Sequence, residues 1–351
     1  MKKTKFSSYS LNGIPEGCKH CVRGKKSVLF ITGVCSTKCK YCPLSDLRRN
    51  KDIVWMNEKK CKSINEVLKE VKKSNSEGCG ITGGDPLCRL QRTIKYANAL
   101  KKKFKKFHIH IYLSTKIVNK DNLKKLSKVV DEVRFHPESL SKNNNFKDIN
   151  KDIEKIKLGL LFFKKENTGV EIPVFPDLKK QTFEFIKEIS KIVEFVNLNE
   201  LEVGENNINY IVKKYHLDKD GYTVKGSKEA GLWILNKCEK EKINIKIHFC
   251  TAETKNWHQF KNRLKNHEIL KFGKKTEDGT VIYFIINYQN NKKLKEIKKE
   301  LNKKNYYLDR EKSRFIINSQ KVREYKNKFQ IKRVEEYPTS DRIEVEKELV
   351  Y

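Results

Sequence analysis

Short apolar runs alternate with amphipathic stretches over the first two thirds of the chain. The runs at 28–32, 80–82, 108–114, 133–136, 170–175 and 196–202 predict strands. Between them, residues 64–74, 90–106, 120–128, 150–165 and 179–193 carry apolar residues at helical spacing. Strand and helix alternating in this way predict an α/β chain with a parallel sheet. Ligands of such sheets collect at the carboxyl ends of the strands. The loop 33–42, Gly83-Gly84, Ser114-Thr115, His136 and Pro173 would converge there.

The pattern breaks after Gly204, and a further apolar strand follows at 243–249. The expected division is an N-terminal cysteine-containing extension (1–26), a strand–helix body with its extension (27–268) and a small α+β domain (269–351). In the last, strand-like runs at 281–288, 306–308, 314–317 and 329–334 flank a helical stretch at 292–304.

Composition adds a formal net charge of +33 over 351 residues, with 77 Lys and Arg against 44 Asp and Glu. A charge of that size attracts nucleic acid or an anionic protein. The lysines are spread over the whole chain, so a general compositional bias explains them as well as a basic patch does. No apolar stretch approaches the roughly 18 residues of a membrane span. The N-terminus lacks the apolar core of an export signal, which makes a cytoplasmic, reducing location the expectation.

Ten cysteines in a reducing compartment are read first as metal ligands or thiols. Cys35, Cys39 and Cys42 form C-x3-C-x2-C in the loop that follows the first predicted strand. Three thiolates this close can hold three irons of a [4Fe-4S] cube and leave the fourth iron open. A structural zinc would need a fourth ligand near by. Cys18 and Cys21 form a separate C-x-x-C pair, and Cys250 ends the late strand just after His248. A second metal centre of Cys18, Cys21 and Cys250 is therefore expected, with His248, His20 or Cys238 as fourth ligand and either zinc or an auxiliary iron-sulfur cluster as occupant. Cys61, Cys79 and Cys88 read as small buried residues.

The cysteine loop, with Tyr41 before its last cysteine, resembles the radical S-adenosylmethionine superfamily. A second element, Gly83-Gly84-Asp85-Pro86, is similar to that family's G-G-E-P motif, with Asp for the usual Glu. The resemblance implies a partial (β/α)6 barrel. It also implies a cluster on Cys35, Cys39 and Cys42, Tyr41 near the adenine, and the Gly83-Gly84-Asp85 backbone at the methionyl amino group. Ser114 and Thr115 would meet the cofactor's ribose or carboxylate. Glu171-Ile172-Pro173 matches the family's fifth-strand adenine contact only weakly, since its glycines are missing. Arg134, His136 and Glu138 lie at or after the fourth strand, and Glu200 and Glu202 at the end of the sixth. A structural histidine and solvated glutamates are the simpler readings there.

The longer strings Gly17 to Gly24, Cys42-Pro43-Leu44-Ser45, Gly80 to Leu87 and Arg134 to Pro137 look like an archaeal branch related to pyruvate formate-lyase activating enzymes. The implied activity is reductive cleavage of S-adenosylmethionine to a 5′-deoxyadenosyl radical that abstracts hydrogen, fed by a ferredoxin or flavodoxin. The charge and the extra domain suggest RNA as substrate. The alternatives are an activase that modifies a protein partner and a non-catalytic iron-sulfur electron-transfer protein.

Overall fold

The computed structural model describes residues 1–143 and 148–350. Its larger unit carries seven parallel strands that lie side by side in chain order: β1 (Lys26–Phe30), β2 (Gly78–Thr82), β3 (His108–Ser114), β4 (Glu132–His136), β5 (Thr168–Val174), β6 (Phe195–Glu200) and β7 (Lys246–Cys250). The first six are the predicted ones with ends shifted by a few residues. The late apolar strand becomes β7, in register with β6 from Phe195 opposite Lys246 to Asn199 opposite Cys250. Helices α1 (Glu16–Val22), α2 (Ile64–Lys73), α3 (Leu90–Lys103), α4 (Lys120–Leu126), α5 (Ile149–Gly159), α6 (Lys179–Ile189) and α7 (Ser227–Lys240) accompany them. This is the expected partial barrel with one strand more.

Both margins of the parallel sheet are extended by antiparallel segments. A hairpin, Val54–Met56 and Lys59–Cys61, continues the sheet from β1. At the other margin Tyr9–Leu11 pairs with β7, and Lys2–Lys3 pairs with Tyr9–Leu11.

Successive strand residues point to opposite faces, and the two faces here differ in chemistry. Leu29, Ile81, Ile111, Val133, Phe135, Val170, Ile172, Val196, Leu198, Ile247 and Phe249 are fully buried in one continuous core. Their alternates Lys26, Tyr112, Arg134, His136, Glu171 and Asn199 line a cavity on the concave face. Hydrophobic burial thus stabilises the outer layer and leaves the interior polar.

The smaller unit comprises Lys261–Tyr351 together with Lys73–Asn75. Strands β8 (Val281–Asn287), β9 (Tyr306–Asp309), β10 (Arg314–Ile317), β11 (Lys332–Glu336) and β12 (Glu344–Leu349) form an antiparallel sheet in the order β9-β10-β8-β11-β12. Helix α8 (Asn291–Glu300) contributes Ile297 to a core with Ile286, Phe315 and Ile317. Tyr283, Ile285 and Val334 pack in a second cluster.

Candidate functional site

The cysteine loop leaves β1 and is tied at its base. Gly33 N–H donates to the Lys51 carbonyl at 2.7 Å, and Asn50 N–H donates back to Gly33 at 3.0 Å. Just before it, the Thr32 hydroxyl donates to Asp52 at 2.8 Å, and Arg89 and Arg92 hold the same carboxylate. Cys35, Cys39 and Cys42 are half-buried and line a cavity of about 790 Å³. The sulfurs of Cys35 and Cys39 both reach the Thr37 hydroxyl, at 3.0 and 3.7 Å. Burial pushes the Cys35 and Cys42 thiols above their ordinary pKa. Binding a metal would therefore release protons from them.

The loop after β6 clasps the cysteine loop. Asn206 Nδ2 donates to the Leu44 carbonyl at 2.5 Å and Asn207 Nδ2 to the Tyr41 carbonyl at 3.0 Å, while Glu205 accepts from Asp46 N–H at 3.0 Å. Residues 204–210 had been legible only as a break in the pattern.

From β2, Gly84 N–H donates to the Thr32 carbonyl at 2.8 Å and Asp85 N–H to the Val34 carbonyl at 2.9 Å. A Cβ at Gly83, whose φ is +152°, would lie 2.3 Å from the Thr32 oxygen. One at Gly84 would lie 2.4 Å from the Val34 oxygen. Only glycine permits this approach, and both glycines line the cavity. The buried Asp85 side chain turns to the cysteine loop instead: it accepts from the Ser36 hydroxyl at 3.1 Å and from Leu87 N–H at 3.0 Å. Burial raises its pKa to about 6.

Ser114 lines the cavity and accepts from Lys116 N–H at 3.3 Å. Thr115 is buried, bonded to Asp152 and accepting from Glu138 N–H at 2.8 Å. The Tyr41 ring packs on Phe175 at 5.1 Å, and its hydroxyl lies 2.6 Å from His136 Nε2. His136 Nδ1 faces the Glu171 carbonyl at 3.0 Å. A carbonyl only accepts, so Nδ1 carries the hydrogen, and Nε2 faces the Tyr41 hydroxyl. Burial lowers the His136 pKa, but contacts to Cys39 and the Glu171 carbonyl outweigh it and the net shift is upward.

The floor of the cavity is a charged network. Arg134 Nε donates to Glu132 at 2.6 Å, and another guanidinium nitrogen donates to Glu171 at 2.7 Å. Asn199 Nδ2 donates to the other Glu171 oxygen at 3.0 Å, and Glu132 accepts from Gly17 N–H at 3.1 Å. The Tyr112 ring lies 5.6 Å from the guanidinium, and its hydroxyl 3.1 Å from His110 Nε2. Above this floor, Glu200 accepts from Ala252 N–H at 2.8 Å and Glu202 pairs with Lys255 at 3.0 Å. Lys26, Tyr112, Asn199 and Lys255 were not anticipated. For Lys26, Tyr112 and Asn199 the signal is a polar residue on the alternate face of an otherwise apolar strand, whereas Lys255 follows β7 in a helical segment, Thr254–Phe260, and has no such mark.

Of the second expected centre, Cys18 lies buried on α1 and donates to Asn197 Oδ1 at 3.3 Å. His248 Nδ1 lies 2.7 Å from the same oxygen. Burial raises the Cys18 pKa to about 12 and lowers that of His248 to about 4. Cys250 is buried and its sulfur accepts from Gln259 at 3.2 Å, Cys21 is half-buried on α1, and Cys238 is buried in α7. His20 bonds Arg23 at 3.2 Å. Among the described residues no group of three or more His, Cys, Asp or Glu side chains stands at metal-ligand spacing, either around Cys18 or in the cysteine loop, whose donor set and sequence spacing alone point to a metal. Cys61 and Cys79 are buried, as expected, whereas Cys88 is half-buried.

Residues 29–189 match the model of the radical SAM superfamily. A protein of Methanocaldococcus jannaschii, provisionally named a glycyl-radical enzyme activating enzyme, is 36% identical over 98% of this chain and 94% of its own length. The chain belongs to the radical SAM superfamily. Residues 279–348 of this radical SAM enzyme match a domain of unknown function, DUF8061. Two structures of anSMEcpe overlap loosely with it. One, with bound AdoMet, has 13% identity, covers 63% of this chain and 62% of its own, and gives a TM-score of 0.41. The other, with AdoMet and the Kp18Cys peptide, has 12% identity, covers 73% and 72%, and gives 0.42. Nothing in these similarities supports RNA as the substrate. Among the described residues no helix is long and apolar enough to cross a membrane.

The radical SAM enzymes use a [4Fe-4S] cluster and S-adenosylmethionine, and the residues present here fit that pair. Three thiols share one loop, as a cube with one free iron requires. Beside them Gly83 and Gly84 line the same cavity, and they pack so closely on the Thr32 and Val34 carbonyls that a Cβ has no room there.

Proposed function

We propose that the protein is an activase, which generates a radical from S-adenosylmethionine and abstracts hydrogen from a partner protein. The single observation behind this reading is the similarity to the Methanocaldococcus protein over 98% of the chain, the C-terminal unit included.

In this reading Cys35, Cys39 and Cys42 hold the cluster. When bound and reduced, by a donor such as ferredoxin or flavodoxin, the cluster supplies the electron that splits S-adenosylmethionine into methionine and a 5′-deoxyadenosyl radical. The chain's own residues do the rest. Gly83 and Gly84 offer backbone groups to the cofactor's methionyl end, and Asp85 fixes Ser36 and so the start of the cysteine loop. Tyr41, held by His136, presents its backbone and ring edge to the adenine side. Ser114 stands at the rim of β3 for the ribose. The polar floor below is left for the group that gives up hydrogen.

The test is anaerobic. Reconstituted protein is reduced with dithionite, S-adenosylmethionine is added and 5′-deoxyadenosine is quantified, with Cys39→Ala as control. A glycyl-radical enzyme from the same genome is then mixed in and examined by electron paramagnetic resonance. Product from the wild type alone, with a partner-centred radical, is expected. Turnover of S-adenosylmethionine with no protein radical on any glycyl-radical partner would remove the activase reading.

A further inference from the structure

The cavity lining contains five cations, Lys26, Lys38, Arg49, Arg134 and Lys255. Arg134 is bound by Glu132 and Glu171, and Lys255 by Glu202. Arg49 donates to Asn206 Oδ1 at 3.0 Å, and Lys38 lies exposed on the cysteine loop. Lys26 is different. It opens β1 at the amino end, so it sits on the cavity floor with the concave side of β1 above it. Its ammonium makes no hydrogen bond or ion pair among the described residues.

An ammonium carries three donors and no acceptor. Inside a protein it is expensive unless an anion or acceptors meet it. Lys26 is half-buried, and the groups that attract it electrostatically are Cys21, Tyr112 and Cys18, two thiols and a phenol rather than carboxylates. The carboxylates of the floor are already engaged by Arg134, Gly17 N–H and Asn199. From Lys26 to Phe30 the strand rises by about 13 Å, at roughly 3.3 Å per residue. The cavity therefore runs from the cysteine loop down to this lysine, deeper than contact with a cofactor at the strand ends requires.

We infer that Lys26 is a carboxylate-binding subsite: the substrate segment that enters the cavity carries a carboxylate that the Lys26 ammonium receives at the floor, beside Tyr112. This rests on the cavity being where the substrate sits. The carboxylate comes either from an acidic side chain of a polypeptide or from a small carboxylic acid, and the two are separable.

The experiment is titration calorimetry on reconstituted, oxidised holoenzyme saturated with S-adenosylmethionine, so that its outcome does not depend on turnover or on a radical partner. The probes are glutarate, its diamide, the blocked peptide acetyl-Gly-Glu-Gly-amide and the Gln counterpart of that peptide. Wild type is compared with Lys26→Met and Lys26→Arg, each checked for iron per chain and for its melting curve. At least one carboxylate probe is expected to bind wild type, with tenfold or greater weakening in Lys26→Met and retention within about threefold in Lys26→Arg. The neutral counterparts are expected to bind wild type no better than the carboxylates bind Lys26→Met. Binding of the peptide alone identifies an acidic polypeptide, and binding of glutarate alone a small acid. If neither carboxylate binds, or if Lys26→Met binds as tightly as wild type, the subsite is refuted, whatever the fate of the activase reading.

Discussion

Replacing Arg134 by Met should unfold the barrel unit at a much lower temperature. The guanidinium is 1% exposed, and its partners Glu132 and Glu171 are 2% and 18% exposed. Met keeps most of the side-chain volume beside Tyr112 and Phe195, whose rings lie 5.6 and 5.4 Å from the guanidinium. What is lost is the charge, and two buried carboxylates remain without it. Breaking a buried pair in this way costs about 3–5 kcal/mol. At roughly 2–4 °C per kcal/mol for a unit of this size, the melting temperature should fall by about 6–20 °C. The assay is specific to the barrel because all three tryptophans, Trp55, Trp233 and Trp257, lie in that unit. Tryptophan fluorescence therefore follows its melting and not that of the C-terminal unit. Adding Glu132→Gln and Glu171→Gln should recover much of the loss, since no uncompensated charge is then left. A drop of less than about 1 kcal/mol in the single variant, within the range of a surface ion pair, would show that the network is not the electrostatic unit described here.

Three further outcomes are expected. Burial, with Arg134, Lys26, His108 and His20 around it, holds His110 well below the ordinary histidine pKa. The unfolded chain therefore binds this proton first as pH falls through about 6.5, and stability declines by up to about 1.4 kcal/mol per pH unit below it. Denaturant melts of His110→Gln against wild type from neutral to mildly acidic pH should show a shallower decline in the variant, and parallel curves would contradict the assignment. Gly84→Ala places a methyl 2.4 Å from the Val34 oxygen; iron bound per chain after reconstitution should drop, and full loading would disprove the close fit. In His136→Leu the Tyr41 hydroxyl loses its 2.6 Å partner, so the paramagnetic spectrum of the reduced cluster should broaden, whereas an unchanged spectrum would deny the link between β4 and the cysteine loop.

The parallel strands were readable because each buries its outward residues: Ile109, Ile111, Val133, Phe135, Val170 and Ile172 are all fully enclosed. Apolar runs of that kind stand out against 34% charged residues. The margins were not readable. Lys2–Lys3 and Tyr9–Leu11 are two and three residues long and have no period to detect. The cysteine and glycine motifs were legible as local strings, since their chemistry depends on neighbours in sequence. Their supports were not. Asn206 and Asn207 reach Leu44 and Tyr41 across more than 160 residues, and a lone asparagine pair carries no mark of its distant partner. Asp85 shows the same limit from the other side: its motif pointed to the cofactor, while its carboxylate bonds Ser36.

The segment Tyr9–Leu11 pairs with β7, Tyr9 opposite Phe249. About 240 residues separate the two, so during synthesis at roughly 5–20 residues per second the N-terminal strand waits about 12–48 s for its partner. By then the cysteine loop and Gly83-Gly84 have long left the ribosome, because both lie in the first quarter of the chain. The end of the barrel that carries the cysteine loop is therefore made early and its wall is completed late. For that interval the sheet has an open margin, which closes only when the N-terminal strand pairs with β7.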